Sequence, residues 1–173
     1  MIQEITQYVI GGFIGWILHG TISFYISRNN IRKYLVITIQ THIKFAKDNY
    51  KILNDYFDKV GIGSKVKVSP RYTADGLENF NSVKSQSITF LTESEIIKLT
   101  KFCAVLQDVE NFAEGFCLHL KEYEKNDKQI DDEIYKHLQI HLYKLNKLLE
   151  QMPNGIKKLS QLADEYDMDI RFC

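Results

Sequence analysis

Residues 8–27 read YVIGGFIGWILHGTISFYIS, and the reading of this stretch decides the class of the chain. Twenty residues without a charged side chain rise about 30 Å as a helix, the thickness of a bilayer core. The run therefore predicts an N-terminal transmembrane helix over residues 1–28. A cleaved signal peptide fits less well, because the preceding MIQEITQ carries Glu4 and no Lys or Arg, and no small-x-small cleavage site follows. A buried core helix is the other alternative. Arg28, Arg32 and Lys33 follow the run directly. By the positive-inside rule that flank predicts a single-pass protein of the inner (cytoplasmic) membrane, with its N-terminus outside and its C-terminal part cytoplasmic.

Within the run, Gly11, Gly15, His19, Ser23 and Ser27 recur every fourth residue and share one helix face. Gly11-x-x-x-Gly15 lets two helix backbones approach closely, and His and Ser can hydrogen-bond between helices where water is absent. An ionisable His19 within the span normally faces a bundle interior or a wet cavity. Gly11, Gly15, His19 and Ser23 are accordingly candidate packing or pore-lining residues; both readings imply oligomers.

Beyond the run the helical pattern continues. Val36, Ile39, Ile43, Ala46, Tyr50, Leu53, Phe57 and Val60 alternate spacings of three and four, an a/d seam that must bury itself against another helix. Neither Pro nor Gly separates this segment, residues 29–60, from the apolar run, so one rod joins them. Gly61-Ile62-Gly63-Ser64 supplies the stop. In the next thirty residues KVKVS (65–69) and SQSITFL (85–91) alternate as short strands do, within one long loop. Thr92 and Glu95 form a capping box ahead of a helix buried through Ile96, Leu99, Cys103, Leu106, Val109, Ala113, Phe116, Leu120 and Tyr123. A further helix begins near Asp131 or Asp132 and buries Ile134, Leu138, Leu142, Leu145, Leu148 and Met152 before Pro153-Asn154-Gly155 stops it. A last short helix is expected over residues 156–166. The fold class is all-α and membrane-anchored, with residues 61–173 forming a cytosolic helical ligand-binding domain interrupted by one long loop.

The 22 basic and 22 acidic residues cancel, which excludes a polycation or an acidic tail. Cys103, Cys117 and Cys173 are odd in number and contain no C-x-x-C pair, consistent with reduced thiols. No phosphate-loop, dinucleotide or nucleophile-elbow motif is present, so no enzyme is expected. His137 and His141 lie one turn apart with Glu133 a further turn away, but without another ligand they read as a polar helix face, and no metal or cofactor is expected.

The cancelled charge is unevenly spread. Residues 28–72 hold ten basic side chains and three acidic ones; residues 73–173 hold 12 basic and 18 acidic. Part of the basic excess is explained by topology and anionic lipid. Lys65, Lys67 and Arg71 come after the rod and alternate with Ser64, Ser69, Tyr72 and Thr73. Phosphate wants Arg and Lys, and an unpaired base wants an aromatic plane with hydrogen-bonding side chains. Lys65, Lys67, Arg71, Tyr72 and Lys84 are therefore the candidate ligand-binding residues, against the plain alternative of a solvated turn.

A single anchor, a basic flank and a small helical cytosolic domain without enzyme motifs resemble the CRISPR-associated transmembrane effectors of type III systems activated by cyclic tetra-adenylate. The likeness is one of architecture over the whole chain, and no signature motif carries residues across. It implies a homo-oligomer, a tetramer in that family, whose cytosolic part binds a cyclic oligoadenylate second messenger and perturbs the membrane as a step of antiviral defence. The partners it implies are that nucleotide, the lipid bilayer and further copies of the chain, without duplex nucleic acid. A membrane-tethered scaffold recruiting a protein partner and a constitutive holin-like toxin are the alternatives.

Overall fold

The computed structural model describes the backbone of residues 2–70 and 88–166, with side chains from residue 16 onward. Helix α1 (Ile2–Phe57) is 56 residues long and rises about 84 Å. It runs without interruption through the position where the apolar run gives way to the a/d seam. Helix α2 (Glu93–Lys125) and helix α3 (Asp132–Glu150) form a hairpin, and the second half of α1 packs against both.

The a/d seam is the buried face of α1. Val36, Ile39, Ile43, Ala46, Leu53 and Val60 are buried, with Tyr50 and Phe57 packed at the edge of the same core. Contacts along its length fix the directions of the helices. Arg32 of α1 meets Glu95 at the start of α2, and Phe57 meets Phe116 further along it, so α1 and α2 run parallel. Phe57 also stacks on Tyr135 near the start of α3, while Lys47 reaches Asn154 beyond its end; α1 and α3 run antiparallel.

Both later helices start on caps legible in the sequence. The Glu95 N–H donates to the Thr92 hydroxyl at 3.3 Å and the Thr92 N–H to the Glu95 carboxylate at 2.8 Å, completing the capping box. Asp131 accepts from the Ile134 N–H at 2.8 Å, and its second oxygen accepts the Tyr123 hydroxyl at 2.7 Å, tying the α2–α3 turn to the start of α3. Asp127, at φ +48°, takes the left-handed conformation that turns the chain out of α2.

The membrane anchor is overturned: among the described residues no helix is long and apolar enough to cross a membrane. Arg28, Asn29, Asn30, Arg32 and Lys33 follow the run on the same helix, which continues for 30 residues past Ser27 as the packed seam of the bundle. The single-pass inner-membrane localisation falls with it. What α1 presents there is an apolar arm projecting past the bundle, with Trp16 73% and Tyr25 71% exposed and Leu18, Ile22, Phe24 and Ile26 also in the open.

Two smaller expectations also change. KVKVS forms no strand; Lys65 makes an isolated bridge to Gln129, and Ile88–Phe90 is a 3-10 turn. Residues 156–166 hold one 3-10 turn, Leu159–Gln161, in place of a helix. There Lys98 donates to the carbonyls of Ser160 and Leu162 and Lys101 to that of Asp164, so acceptors that a helix would use internally are taken by α2.

Candidate functional site

α1 ends at Phe57, and the turn that follows delivers a strap against the turn that closes the α2–α3 hairpin. Gly63, at φ +82°, reverses the chain, a conformation glycine adopts without steric cost. Its N–H donates to the Ile130 carbonyl at 2.8 Å and the Ile130 N–H returns to the Ser64 carbonyl at 2.9 Å, so the strap is held by backbone on both sides. Val66 is buried beneath it. Because side chains alternate along extended backbone, burying Val66 turns Lys65 and Lys67 outward.

These lysines line an open groove of about 500 Å³ together with Tyr56, Lys59 and Ser64. Lys65 pairs with Asp127 at 2.6 Å, but both side chains are well exposed, a setting in which an ion pair contributes little and is readily exchanged for a ligand. Lys59 and Lys67 are exposed, and neither pairs with a carboxylate among the described residues. The Tyr56 hydroxyl is held above its ordinary pKa by burial and by the charge of Glu124. The groove thus presents three cationic donors beside a phenol, a set suited to phosphate oxygens.

Of the residues singled out from sequence, the strap brings Lys65 and Lys67 together. Arg71, Tyr72 and Lys84 lie outside the described residues. Ser69 is committed elsewhere: its N–H and hydroxyl both donate to Glu124, at 3.1 and 2.6 Å. His19 and Ser23 are exposed on the arm of α1. Gly11 and Gly15 fall on α1 before the part whose side chains are described. Sequence reasoning did not find Tyr56 and Lys59; their signal is a lysine three residues after a tyrosine in the last turn before a glycine stop, on the side the strap returns to.

A second grouping is a histidine cluster on the α2–α3 seam. His137 and His141 are joined by His119 of α2, with ring centroids 5.9 and 5.5 Å from it. The edge of Phe112 packs on His141 at 5.9 Å. Burial, with the neighbouring His119, His137 and Lys144, pushes the His141 imidazole down to about 4. Among the described residues no three His, Cys, Asp or Glu side chains are placed to hold a metal ion.

No family model, no curated protein and no solved structure matches this chain.

Proposed function

We propose that this chain is a ligand-responsive helical effector that binds a phosphodiester second messenger, cyclic tetra-adenylate foremost, in the groove of Lys59, Lys65 and Lys67. The observation that carries the reading is the convergence of those three lysines and Tyr56 on one cavity, which turns a charge excess in the sequence into a place. The membrane half of the family likeness has no part in the proposal; the helical domain and its basic strap remain. A four-nucleotide ring has more phosphodiesters than one groove has lysines, so a symmetric ligand is matched by grooves from two or more copies of the chain.

Titration calorimetry of the full chain with cyclic tetra-adenylate tests it. Saturable heat is expected, weakening as salt rises, with an affinity lowered at least about tenfold in Lys59→Glu/Lys67→Glu. Absence of heat with every cyclic oligoadenylate, or binding indifferent to that double substitution, overturns the reading.

The projecting arm of α1 supports a second reading, a scaffold that recruits a protein partner. Contiguous exposed apolar side chains from Trp16 to Ile26 are the kind of surface that marks interaction sites. In that case Ile22→Glu/Phe24→Glu abolishes capture of the partner while Lys59→Glu/Lys67→Glu does not.

A further inference from the structure

At the root of the apolar arm, about 40 Å along α1 from the lysine groove, a separate cleft of about 340 Å³ opens between α1 and the segment after α3. Its polar lining is Asn29, Arg32, Lys33, Lys157, Lys158 and Ser160, with Glu95 at one side. Four cations therefore face one carboxylate. Arg32 donates from one amino group to Glu95 at 2.6 Å, and the same carboxylate accepts from the Thr92 N–H and hydroxyl in the capping box. Only one of the five Arg32 N–H donors is used in this way, and Nε is buried with no acceptor among the described residues. A buried guanidinium donor left without a partner is unusual and marks a place where an acceptor is missing.

The two lysines opposite are held in position. The backbone N–H groups of Lys157 and Lys158 both donate to the Gln161 side-chain oxygen, at 2.5 and 3.0 Å, and Gln40 of α1 donates to the neighbouring Ile156 carbonyl. The segment is thereby fixed against α1 while the side chains of Lys157 and Lys158 stay exposed. Neither they nor Lys33 pair with a carboxylate among the described residues.

We propose that this cleft is a phosphate-binding site, distinct from the lysine groove, in which the part-exposed Arg32 guanidinium offers N–H donors not used by Glu95 to a phosphate oxygen while Lys33, Lys157 and Lys158 neutralise the charge. A tetrahedral phosphate fits the donor set because it presents several acceptor oxygens at once, which a guanidinium and flexible ammonium groups can share. The phosphate can belong to a free ion, a soluble nucleotide or a lipid headgroup, and the site reads the group common to all three.

The test uses the full chain with inorganic phosphate as probe and potassium chloride at matched ionic strength as control. Phosphate is expected to raise the melting temperature and broaden its own phosphorus resonance, where chloride does neither. In a Lys59→Glu/Lys67→Glu background, which silences the lysine groove, Lys157→Gln/Lys158→Gln, at exposed positions that leave the core untouched, is expected to weaken phosphate binding about tenfold or more, and Lys136→Gln, at an exposed lysine of α3 outside both clefts, to leave it unchanged. Arg32→Lys keeps the charge but loses the fork and is expected to weaken it further; the lysine pair decides the matter if that variant fails to fold. Parallel arms with adenosine monophosphate and with vesicles containing phosphatidic acid identify the source, since only the preferred form binds more tightly than the free ion. A phosphate response equal to that of chloride, or one that survives Lys157→Gln/Lys158→Gln in that background, overturns the proposal.

Discussion

The imidazole of His141 lies against Gly115 so closely that a β-carbon there would meet its Cε1 at 2.7 Å. This contact accounts for a glycine inside a long helix. In a helix interior Gly is about 1 kcal/mol less favourable than Ala, and α2 tolerates it where α3 brings an aromatic ring onto its backbone.

The pair therefore behaves as a coupled unit. Gly115→Ala in the wild-type background is expected to destabilise by about 1–2 kcal/mol, because the displaced ring disturbs Phe112 and His119 and outweighs the gain in helix propensity. In a His141→Ala background the same substitution should stabilise by about 0.5–1 kcal/mol. A double-mutant cycle by urea denaturation measures both signs; additive effects would show that the ring and the glycine are independent.

The same ring makes stability depend on pH. Its folded pKa of about 4 lies below the ordinary value of 6.5, so on acidification the unfolded chain takes up a proton first. The groups facing it are His119 and Phe112 from α2 and His137 and Lys144 from α3. Stability should fall as pH is lowered from 6.5 towards 4 and then level, by on the order of 1–2 kcal/mol once solvent screening of the partly exposed ring is allowed for. His141→Gln should flatten that part of the pH profile of the melting temperature.

Glu110 acts in the opposite sense. Burial, and the charge of Glu114 one turn on, push its carboxyl up to about 7. Its folded pKa exceeds the ordinary 4.5, so its contribution is fully present below pH 4.5 and is lost as pH rises through 7. Glu110→Gln should raise the melting temperature at pH 8 and leave it nearly unchanged at pH 4.5. Between pH 4.5 and 6.5 the two terms oppose each other, and each single variant should expose the slope of the other.

Phe116 sits at the contact between α2 and α1. It is fully buried in α2 and lies edge-on to Phe57 of α1 at 6.5 Å. Truncation to Ala removes the ring and leaves a cavity between helices, for a loss of about 3–5 kcal/mol. For a chain of this length that corresponds to a melting temperature lower by roughly 10 °C, measurable by circular dichroism.

The core was legible in the sequence wherever burial follows helical period. The seam from Val36 to Val60, the capping box of Thr92 and Glu95, and the apolar face of α3 match expectation, while α2 buries the expected Leu99, Cys103, Leu106, Val109, Ala113, Phe116 and Leu120 together with Phe102, Val105 and Cys117, and leaves Ile96 partly exposed. KVKVS was misread because alternation signals an extended chain and not a partner strand, and Lys65 meets only Gln129. Length and absence of charge mark the apolar run as a span, yet among the described residues no helix is long and apolar enough to cross a membrane. Half of the site was equally hidden. Arg32 and Glu95 are 63 residues apart, His119 joins the other two histidines only through the α2–α3 hairpin, and Lys59 joins the strap only once Gly63 has turned the chain back.

The hydrogen bonds that dock α1 onto the end of the chain, Gln40 to Ile156 and Lys47 to Asn154, join residues more than 100 positions apart. On the ribosome α1 therefore emerges first and is buried last. The α2–α3 hairpin, whose contacts are local, can close while the seam of α1 waits for residues not yet made. Until those residues are made, the nascent chain displays the apolar seam of α1, the face most open to association with other chains.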